Sequence, residues 1–342
     1  MAEGIRAVQY GCGPIGLGVT SLAAHRKDIE LVGAVDIDPE IVGSDLGEMA
    51  DLDDKLGIVI TDDAGTLLSE VKPDIAFHTT GSSFRNVYSQ LEDIVRAGVN
   101  IVSTCEELSF PYKREPDLAA QLDSLAKENG VTVLGTGINP GFLMDTWPLS
   151  MTAVCRDVEE VKAVRIQDAS SRRLPFQKKI GAGRTPDEFQ NLIDEGTLRH
   201  VGLPESTAMI AAGLGWELDE ITEEIGPVMA ESQVSSPHLT VEPGQAAGVK
   251  QISHGLIAGK EVVTLEFQAY IGAPETYDAV YIKGTPNMEV VIKGGTHGDI
   301  GTAAMVVNAA RRVVEAPPGL LTMKDVPVVV CTAGSSYAGY SK

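Results

Sequence analysis

The sequence predicts an α/β protein: an N-terminal Rossmann-type parallel sheet, then a second α+β domain on a mostly antiparallel sheet. Three observations carry this. Short apolar runs alternate with stretches of helical periodicity up to about residue 145, and parallel strands need crossover connections of that kind. A glycine-rich turn, "GCGPIG", directly follows the first apolar run and opens the first helix. Beyond Asp145 the pattern becomes alternating polar and apolar, with turn signals between segments, as an antiparallel sheet requires.

In chain order, "IRAVQY" (5–10) reads as a short buried strand and residues 15–24 as the helix after the glycine turn. "IELVGAVDID" (29–38) is a second strand, "VGSDLGEMA" and "AGTLLSEV" read as helical, and "PDIAFHTT" (73–80) is another strand. "FRNVYSQLEDIVRAG" (84–98) has apolar residues at helical spacing and stops at Gly98. A strand at 100–105, a helix at 116–130 and a strand at 131–137 follow. The later segments "VEEVKAVRIQDAS", "HLTVEPGQAAGVKQISHGLIAG", "KEVVTLEFQAYIG", "DAVYIKGTP" and "MEVVIKGG" form the second sheet, with amphipathic stretches near 186–196 and 203–225 packed on it. The stretch "GDIGTAAMVVNAARRVVE" is helical again and is expected to rejoin the first domain. The expected division is a dinucleotide-binding domain over 1–145, rejoined by a helix at about 298–316. A substrate and dimerisation domain covers 146–297, and a C-terminal segment covers 317–342.

Composition narrows the function classes. With 342 residues and 43% hydrophobic content the chain can build two cores. No run approaches the roughly 18–20 apolar residues that span a bilayer, so no membrane partner is expected. The start "MAEGIRAVQYG" enters a strand at once, leaving no room for a signal peptide. Cys12, Cys105, Cys155 and Cys331 lie far apart, with no CxxC and no metal-ligand spacing. A cytoplasmic protein with reduced thiols and no metal is the expectation. The formal charge of −21 would repel nucleic acid and attract a cationic substrate, and it equally fits a plain acidic surface or a salt-adapted source.

Gly11, Gly13 and Gly16 stand in G-x-G-x-x-G spacing, with Pro14 and Ile15 between the last two. The three glycines permit a tight turn, close approach to a pyrophosphate, and close helix–strand packing. The phosphates then meet the positive helix N-terminus. Asp36, ending the second strand, can accept hydrogen bonds from both ribose hydroxyls. A 2′-phosphate is repelled there and "DIDPE" offers no cation, so NAD(H) is favoured, with NADP(H) possible. Thr79, Thr80 and Gly81 of "TTGSS" either contact the coenzyme or cap the helix from Phe84.

Ligands of open α/β sheets bind beyond the carboxyl ends of the strands. The turns "HTTGSS", "STCEEL" and "GTGINPGFLMD" should converge there, placing Thr104, Glu106 or Glu107, Asn139, Pro140 and Gly141 near the nicotinamide. A carboxylate in such a partly dry pocket would have a raised pKa, carry protons and attract an ammonium or iminium group. Alternatively, both glutamates merely begin the next helix, where the dipole favours acids. His78 reads as a satisfied residue within its strand. His297, before the returning helix, could close over a substrate, with Thr302 one turn further on. His200, His238 and His254 have no metal-like spacing.

The segments "NIVSTCEELSFP", "ENGVTVLGTGINPGFLMD", "HVGLPES", "GVKQISHG", "IKGTPN" and "GDIGTAAMVVN" resemble the 2,4-diaminopentanoate dehydrogenases and the related native amine dehydrogenases, over nearly the whole chain and in the same order. That family is similar to dihydrodipicolinate reductase, with a dinucleotide-binding domain and an α+β domain that dimerises. The resemblance implies reversible oxidative deamination of an amine to a ketone or aldehyde, with NAD(P)+ reduced and ammonia released. It also implies a catalytic strand-end glutamate, carried onto Glu106 with Glu107 in reserve. Phe110, Phe142, Leu143, Met144 and Trp147 are pocket walls on this reading, and Arg172, Arg173 and Arg184 are candidates for a substrate carboxylate. A dihydrodipicolinate-type imine reductase would want a compact basic cluster for its dicarboxylate, and none is visible. A dinucleotide-sensing protein without turnover is the alternative from another class.

Overall fold

The computed structural model of the protein describes residues 4–331. The end of the expected C-terminal segment, residues 332–342, lies outside them. The chain forms two compact units, one running to Phe142 and resuming at His297, the other spanning Leu143–Thr296.

The first unit begins with β1 (Ile5–Tyr10), α1 (Pro14–Ala24), β2 (Ile29–Val35), α2 (Leu46–Met49), β3 (Ile60–Thr61) and α3 (Ala64–Val71). It continues with β4 (Ile75–His78), α4 (Phe84–Arg96), β5 (Asn100–Ser103), a 3₁₀ turn (Glu106–Ser109), α5 (Pro116–Asn129) and β6 (Thr132–Gly135). With the late strand Gly319–Leu321 at one edge, these strands form a seven-stranded sheet, parallel throughout. Val8, Ala76, Ile101 and Val133 pack under Leu68 of α3, Phe84 and Leu91 of α4 and Leu122 of α5. The returning helix Gly298–Val314 lies against α1 and against β4, β5 and β6.

Two local expectations change. "VGSDLGEMA" yields only the one-turn α2. Gly43 turns the chain at φ +90°, and Asp45 gathers the backbone N–H groups of Gly47, Glu48, Leu56 and Gly57. That cradle folds the segment back as a loop. The strand expected at 100–105 stops at Ser103, where the Ser103 hydroxyl accepts the Cys105 N–H (3.1 Å) and the 3₁₀ turn starts.

The second unit contains α6 (Thr146–Thr152), β7 (Asp157–Asp168), α7 (Leu174–Lys179), α8 (Pro186–Asp194), α9 (Leu203–Gly213) and β8 (Glu220–Met229). The small pair β9 (Val234–Ser235) and β10 (Thr240–Val241) precedes β11 (Ala246–Ile257), β12 (Lys260–Tyr270), β13 (Tyr277–Thr285) and β14 (Met288–Lys293). Its six-stranded sheet, ordered β14-β13-β7-β12-β11-β8, is antiparallel except where β12 runs parallel to β7. The amphipathic stretch read at 203–225 is two elements. α9 ends near Gly215, at φ +71°, and the alternating "EITEEIGPVM" becomes edge strand β8. The returning helix is α10 (Gly298–Val314), followed by β15 (Gly319–Leu321). No helix among the described residues is long and apolar enough to cross a membrane.

A buried ion pair crosses the second sheet. Arg165 of β7 and Asp278 of β13 face each other in register, each about 2% exposed at its side chain, with Nη1 3.0 Å from Oδ1. Burial lowers the arginine's pKa and raises the aspartate's, each partner's charge opposing the shift. Both also hold Thr296: Arg165 donates to its carbonyl (2.8 Å), and its N–H donates to Asp278 (2.7 Å). Arg165→Met strands a buried carboxylate, and urea unfolding should show a loss of about 3–5 kcal/mol. Pairing it with Asp278→Leu should recover only part, because Thr296 still loses both backbone partners, each costing about 1–3 kcal/mol. Full recovery in the double variant would show that the clasp on Thr296 is energetically idle.

Candidate active site

The first sheet winds one way through β1, β2 and β3 and the other way through β4, β5 and β6. Its crevice therefore opens between the carboxyl ends of β1 and β4, the switch point at which open α/β sheets bind ligands. The glycine turn lies there, and each glycine has a separate structural reason. Gly11 has φ +93°, and a Cβ on it would meet Thr79 and Thr80 at 2.9–3.0 Å. A Cβ on Gly16 would fall 1.9 Å from the Gly11 carbonyl oxygen, so the first turn of α1 rests directly on that carbonyl. Gly13, the N-cap, has an ordinary φ of −69°, and a Cβ there would meet nothing within 4 Å. Open space over the amides of a helix N-terminus, which lack intrahelical acceptors, is what a pyrophosphate needs. Pro14 starts the helix without an N–H to satisfy, and partly exposed Ile15 follows it.

Asp36 follows β2 at the tip of the crevice. Its Oδ2 accepts the Cys12 N–H (2.5 Å) and its Oδ1 the Asp38 N–H (3.0 Å), which fixes the carboxylate while leaving each oxygen a lone pair for a hydroxyl. Burial, and after it the Asp36 charge, pushes the Cys12 thiol up to about 12, so this cysteine is not a nucleophile. No Lys or Arg stands in the segment from Asp36 to Glu40.

The turns after β4 and β5 interlock. Thr79 donates to the Gly11 carbonyl (2.7 Å), whereas the exposed Thr80 hydroxyl turns to Gln90 (2.6 Å) and the His78 ring (3.0 Å). A Cβ on Gly81 would come 3.2 Å from Val87. His78 is fully buried between Ser103 and Gln90, and burial lowers its pKa to about 4, so it stays neutral and structural. Thr104 donates its N–H to the His78 carbonyl (2.9 Å). Ser82 supplies a carbonyl to the Glu107 N–H (3.2 Å) and to the Cys105 thiol (3.3 Å).

The adjacent glutamates open the 3₁₀ turn, each partly exposed. Glu107 serves the neighbouring helix. Its Oε2 accepts the Phe84 N–H (2.9 Å) at the start of α4, where the N-cap Ser83 makes no side-chain bond, and its Oε1 lies 3.6 Å from Arg114. The 3₁₀ turn seats on the end of β6 because Gly135 has no side chain: a Cβ there would lie 2.5 Å from the Leu108 backbone. Phe110, buried, meets Tyr112 edge-on at 5.2 Å.

After β6 the loop is compact, with a cis peptide between Asn139 and Pro140 and Gly141 at φ +121°. It is tied to α10, where the Thr302 hydroxyl accepts the Ile138 N–H (3.4 Å). Asn139 is 9% exposed, and neither of its side-chain polar atoms has a hydrogen-bond partner among the described residues. An amide is not buried unsatisfied without cost. Pro140 is buried and Phe142 half-buried. His297 is exposed and accepts the Ile300 N–H as the N-cap of α10 (3.4 Å). Leu143, Met144 and Trp147 belong to the second unit and are buried. There, Arg172 stacks on Phe176 (4.2 Å) and Arg184 lies 3.9 Å from Glu188.

Reading the sequence missed Gln9, Ser82, Ser103 and Gln90, whose side chains or carbonyls tie these turns together. The available signal was Gln9, a polar residue in the middle of a core strand. A paired test separates the glycines. Gly13→Ala should leave the unfolding midpoint near that of the parent yet weaken NADH binding about tenfold or more, since the new methyl enters the phosphate space. Gly16→Ala collides with the Gly11 carbonyl and should lose about 1–3 kcal/mol of stability. Equal NADH affinity in parent and Gly13→Ala, measured by fluorescence titration, would remove the phosphate from this turn.

Comparison with known proteins bears on the fold and the family. Residues 5–106 match the N-terminal domain of dihydrodipicolinate reductase, and residues 142–340 match the C-terminal domain of 2,4-diaminopentanoate dehydrogenase. The 2,4-diaminopentanoate dehydrogenase of Acetoanaerobium sticklandii is 33% identical over 332 residues, covering 95% of this chain and 94% of that protein. An amine dehydrogenase of Streptomyces virginiae is 24% identical over 95% of this chain and 96% of its own length. Among solved structures, the amine dehydrogenase from Mycobacterium smegmatis superposes with a TM-score of 0.83 at 26% identity, over 96% of this chain and 98% of that one. The resemblance read from the sequence is borne out: the chain belongs to the 2,4-diaminopentanoate dehydrogenase family, nicotinamide-dependent oxidoreductases that act on amines.

Proposed function

We propose that the protein is an NAD-preferring amine dehydrogenase that interconverts an amine or diamino acid with the corresponding ketone or aldehyde, releasing or consuming ammonia. The observation that carries this reading is the turn after β5. Glu107 is committed to the N-terminus of α4 and to Arg114. Glu106, the first of the pair and the one onto which the family resemblance carries the catalytic carboxylate, is the acid for chemistry at the carboxyl end of a sheet whose switch point suits a dinucleotide.

Gly11, Gly13 and Gly16 with the first turn of α1 hold the pyrophosphate, and Asp36 holds the adenosine ribose. Thr79, Gly81 and Thr104 border the path toward the nicotinamide. When bound, the coenzyme supplies the two-electron hydride acceptor or donor. In the amination direction Asn139 orients the carbonyl oxygen, giving the unsatisfied amide its partner. Glu106 takes a proton from ammonium, and the freed ammonia attacks the carbonyl carbon. Glu106 then relays protons as the carbinolamine oxygen leaves as water, and its ionised form faces the iminium. Deamination reverses these steps, with Glu106 activating the water that hydrolyses the iminium. Thr302 of α10 bonds the Asn139 loop and His297 caps the start of the same helix, both on the substrate side of this reading. A homodimer belongs to the same reading, and size-exclusion chromatography with light scattering tests it.

The direct experiment is NAD+ reduction at alkaline pH against a panel of amines, amino acids and diamines. Turnover with an amine is expected; NADH binding with no amine oxidised across the panel would instead favour a sensor without turnover. Glu106→Gln keeps the shape and removes the proton carrier, so kcat should fall about 10²–10⁴-fold with NADH affinity retained. Glu107→Gln should chiefly lower the unfolding midpoint; a reversed pattern would exchange the two roles. Because Asp36 repels a 2′-phosphate, kcat/KM should favour NAD+ over NADP+ by about tenfold or more. Asp36→Ala should narrow that ratio, and a parent enzyme that prefers NADP+ would refute the assignment to Asp36.

A further inference from the structure

Gln9 is a polar residue where the sheet should be apolar. It lies in β1, the strand flanked by β2 and β4, opposite Ala34 and Phe77, with 0% exposure. Burying an amide there is unfavourable unless it is hydrogen-bonded. Its Nε2 lies within hydrogen-bond distance of the Gly11 carbonyl (2.8 Å), the Thr79 hydroxyl (3.0 Å) and the Phe77 carbonyl (3.3 Å). Its Oε1 has no partner among the described residues, so the side chain works as a donor. Thr79 donates to the same Gly11 carbonyl (2.7 Å). Across the peptide bond from that carbonyl, the Cys12 N–H donates to Asp36 (2.5 Å).

We propose that Gln9 is a positioning residue for coenzyme binding: by holding the Gly11 carbonyl inward, it fixes the Gly11–Cys12 peptide plane and, through the Cys12 N–H, the Asp36 carboxylate. The argument rests on the dinucleotide reading of the glycine turn. A trans peptide carries its C=O and N–H on opposite sides. With the oxygen held by Gln9 and Thr79, the N–H must point to Asp36. The same orientation keeps a carbonyl oxygen away from the side where phosphates bind and gives the first turn of α1 its seat. Without the Gln9 donor the peptide can rotate, Asp36 loses its fixed partner, and the helix start shifts. Gln9 acts through the peptide and has no part in the chemical step.

Gln9→Met keeps the volume and removes the donor. The expected result is an NADH dissociation constant and a coenzyme KM raised about tenfold, with kcat at saturating coenzyme falling less than about threefold. The decisive readout is a double-mutant cycle with Asp36→Asn, scored on NADH affinity. If Gln9 works through Asp36, Gln9→Met costs little once Asp36→Asn is present. Additive losses, or a lowered unfolding midpoint with unchanged NADH affinity, overturn the proposal and leave Gln9 a packing residue. Should Gln9→Met fail to fold, Thr79→Val removes the second donor to the same carbonyl and runs the same cycle. A parent protein that binds no NADH overturns the dinucleotide reading as well, and is distinguished by its independence of any Gln9 variant.

Discussion

One peptide plane, between Gly11 and Cys12, gathers the ends of three strands at the switch point of the first sheet. Its carbonyl takes hydrogen bonds from Gln9 and Thr79, and its amide donates to Asp36. The side-chain-free Gly16 lets α1 begin in contact with it. β1, β2 and β4 each contribute to holding this one plane, and the fold supplies all of them because its switch point lies at β1 and β4. The glycine turn is thus the place where three strand ends are tied, and buried side chains hold it as much as its glycines shape it.

The second of the two adjacent glutamates takes a structural role at the strand end. In a 3₁₀ turn successive side chains point about a third of a turn apart. Glu107 reaches back to the N–H of Phe84 and satisfies an orphan donor at the start of α4, which Ser83 leaves unmade. The sequence offered proton chemistry or the start of the next helix for the pair; the structure instead sets Glu107 at the start of the preceding helix, α4. That capping bond also anchors the turn: with Ser82 bonded to Glu107 and Cys105, the turns after β4 and β5 are tied together.

The parallel sheet, the glycine turn, Asp36 and the returning helix were all legible in the sequence, because each leaves a pattern of period, spacing or residue type. What stayed hidden depends on contacts distant along the chain. The α2 region reads as helix by composition, yet four backbone N–H groups prefer the Asp45 carboxylate and fold it into a loop. The end of α9 and the start of β8 merge into one amphipathic stretch in the sequence, since helical and alternating patterns coincide over a few residues. Thr80 looks equivalent to Thr79, but its hydroxyl faces Gln90, and of the two hydroxyls it is that of Thr79 that bonds the glycine turn. Period-based reading has no access to which of two neighbouring hydroxyls turns inward.

Gln9 and the Arg165–Asp278 pair share a logic that bears on why such groups persist in cores. Each is buried in an interior strand, where an apolar residue of similar volume could fill the same space. Each uses its hydrogen bonds on backbone rather than only on another side chain: Gln9 on Gly11 and Phe77, the ion pair on both polar groups of Thr296. A hydrophobic replacement can fill the volume but cannot choose between two orientations of a peptide plane, because it offers neither donor nor acceptor. Thr296 is the last residue before the chain returns to the first unit at His297, and Gly11 is the first residue of the coenzyme turn. At both places the path of the backbone, more than the depth of the core, is what the buried polar group determines.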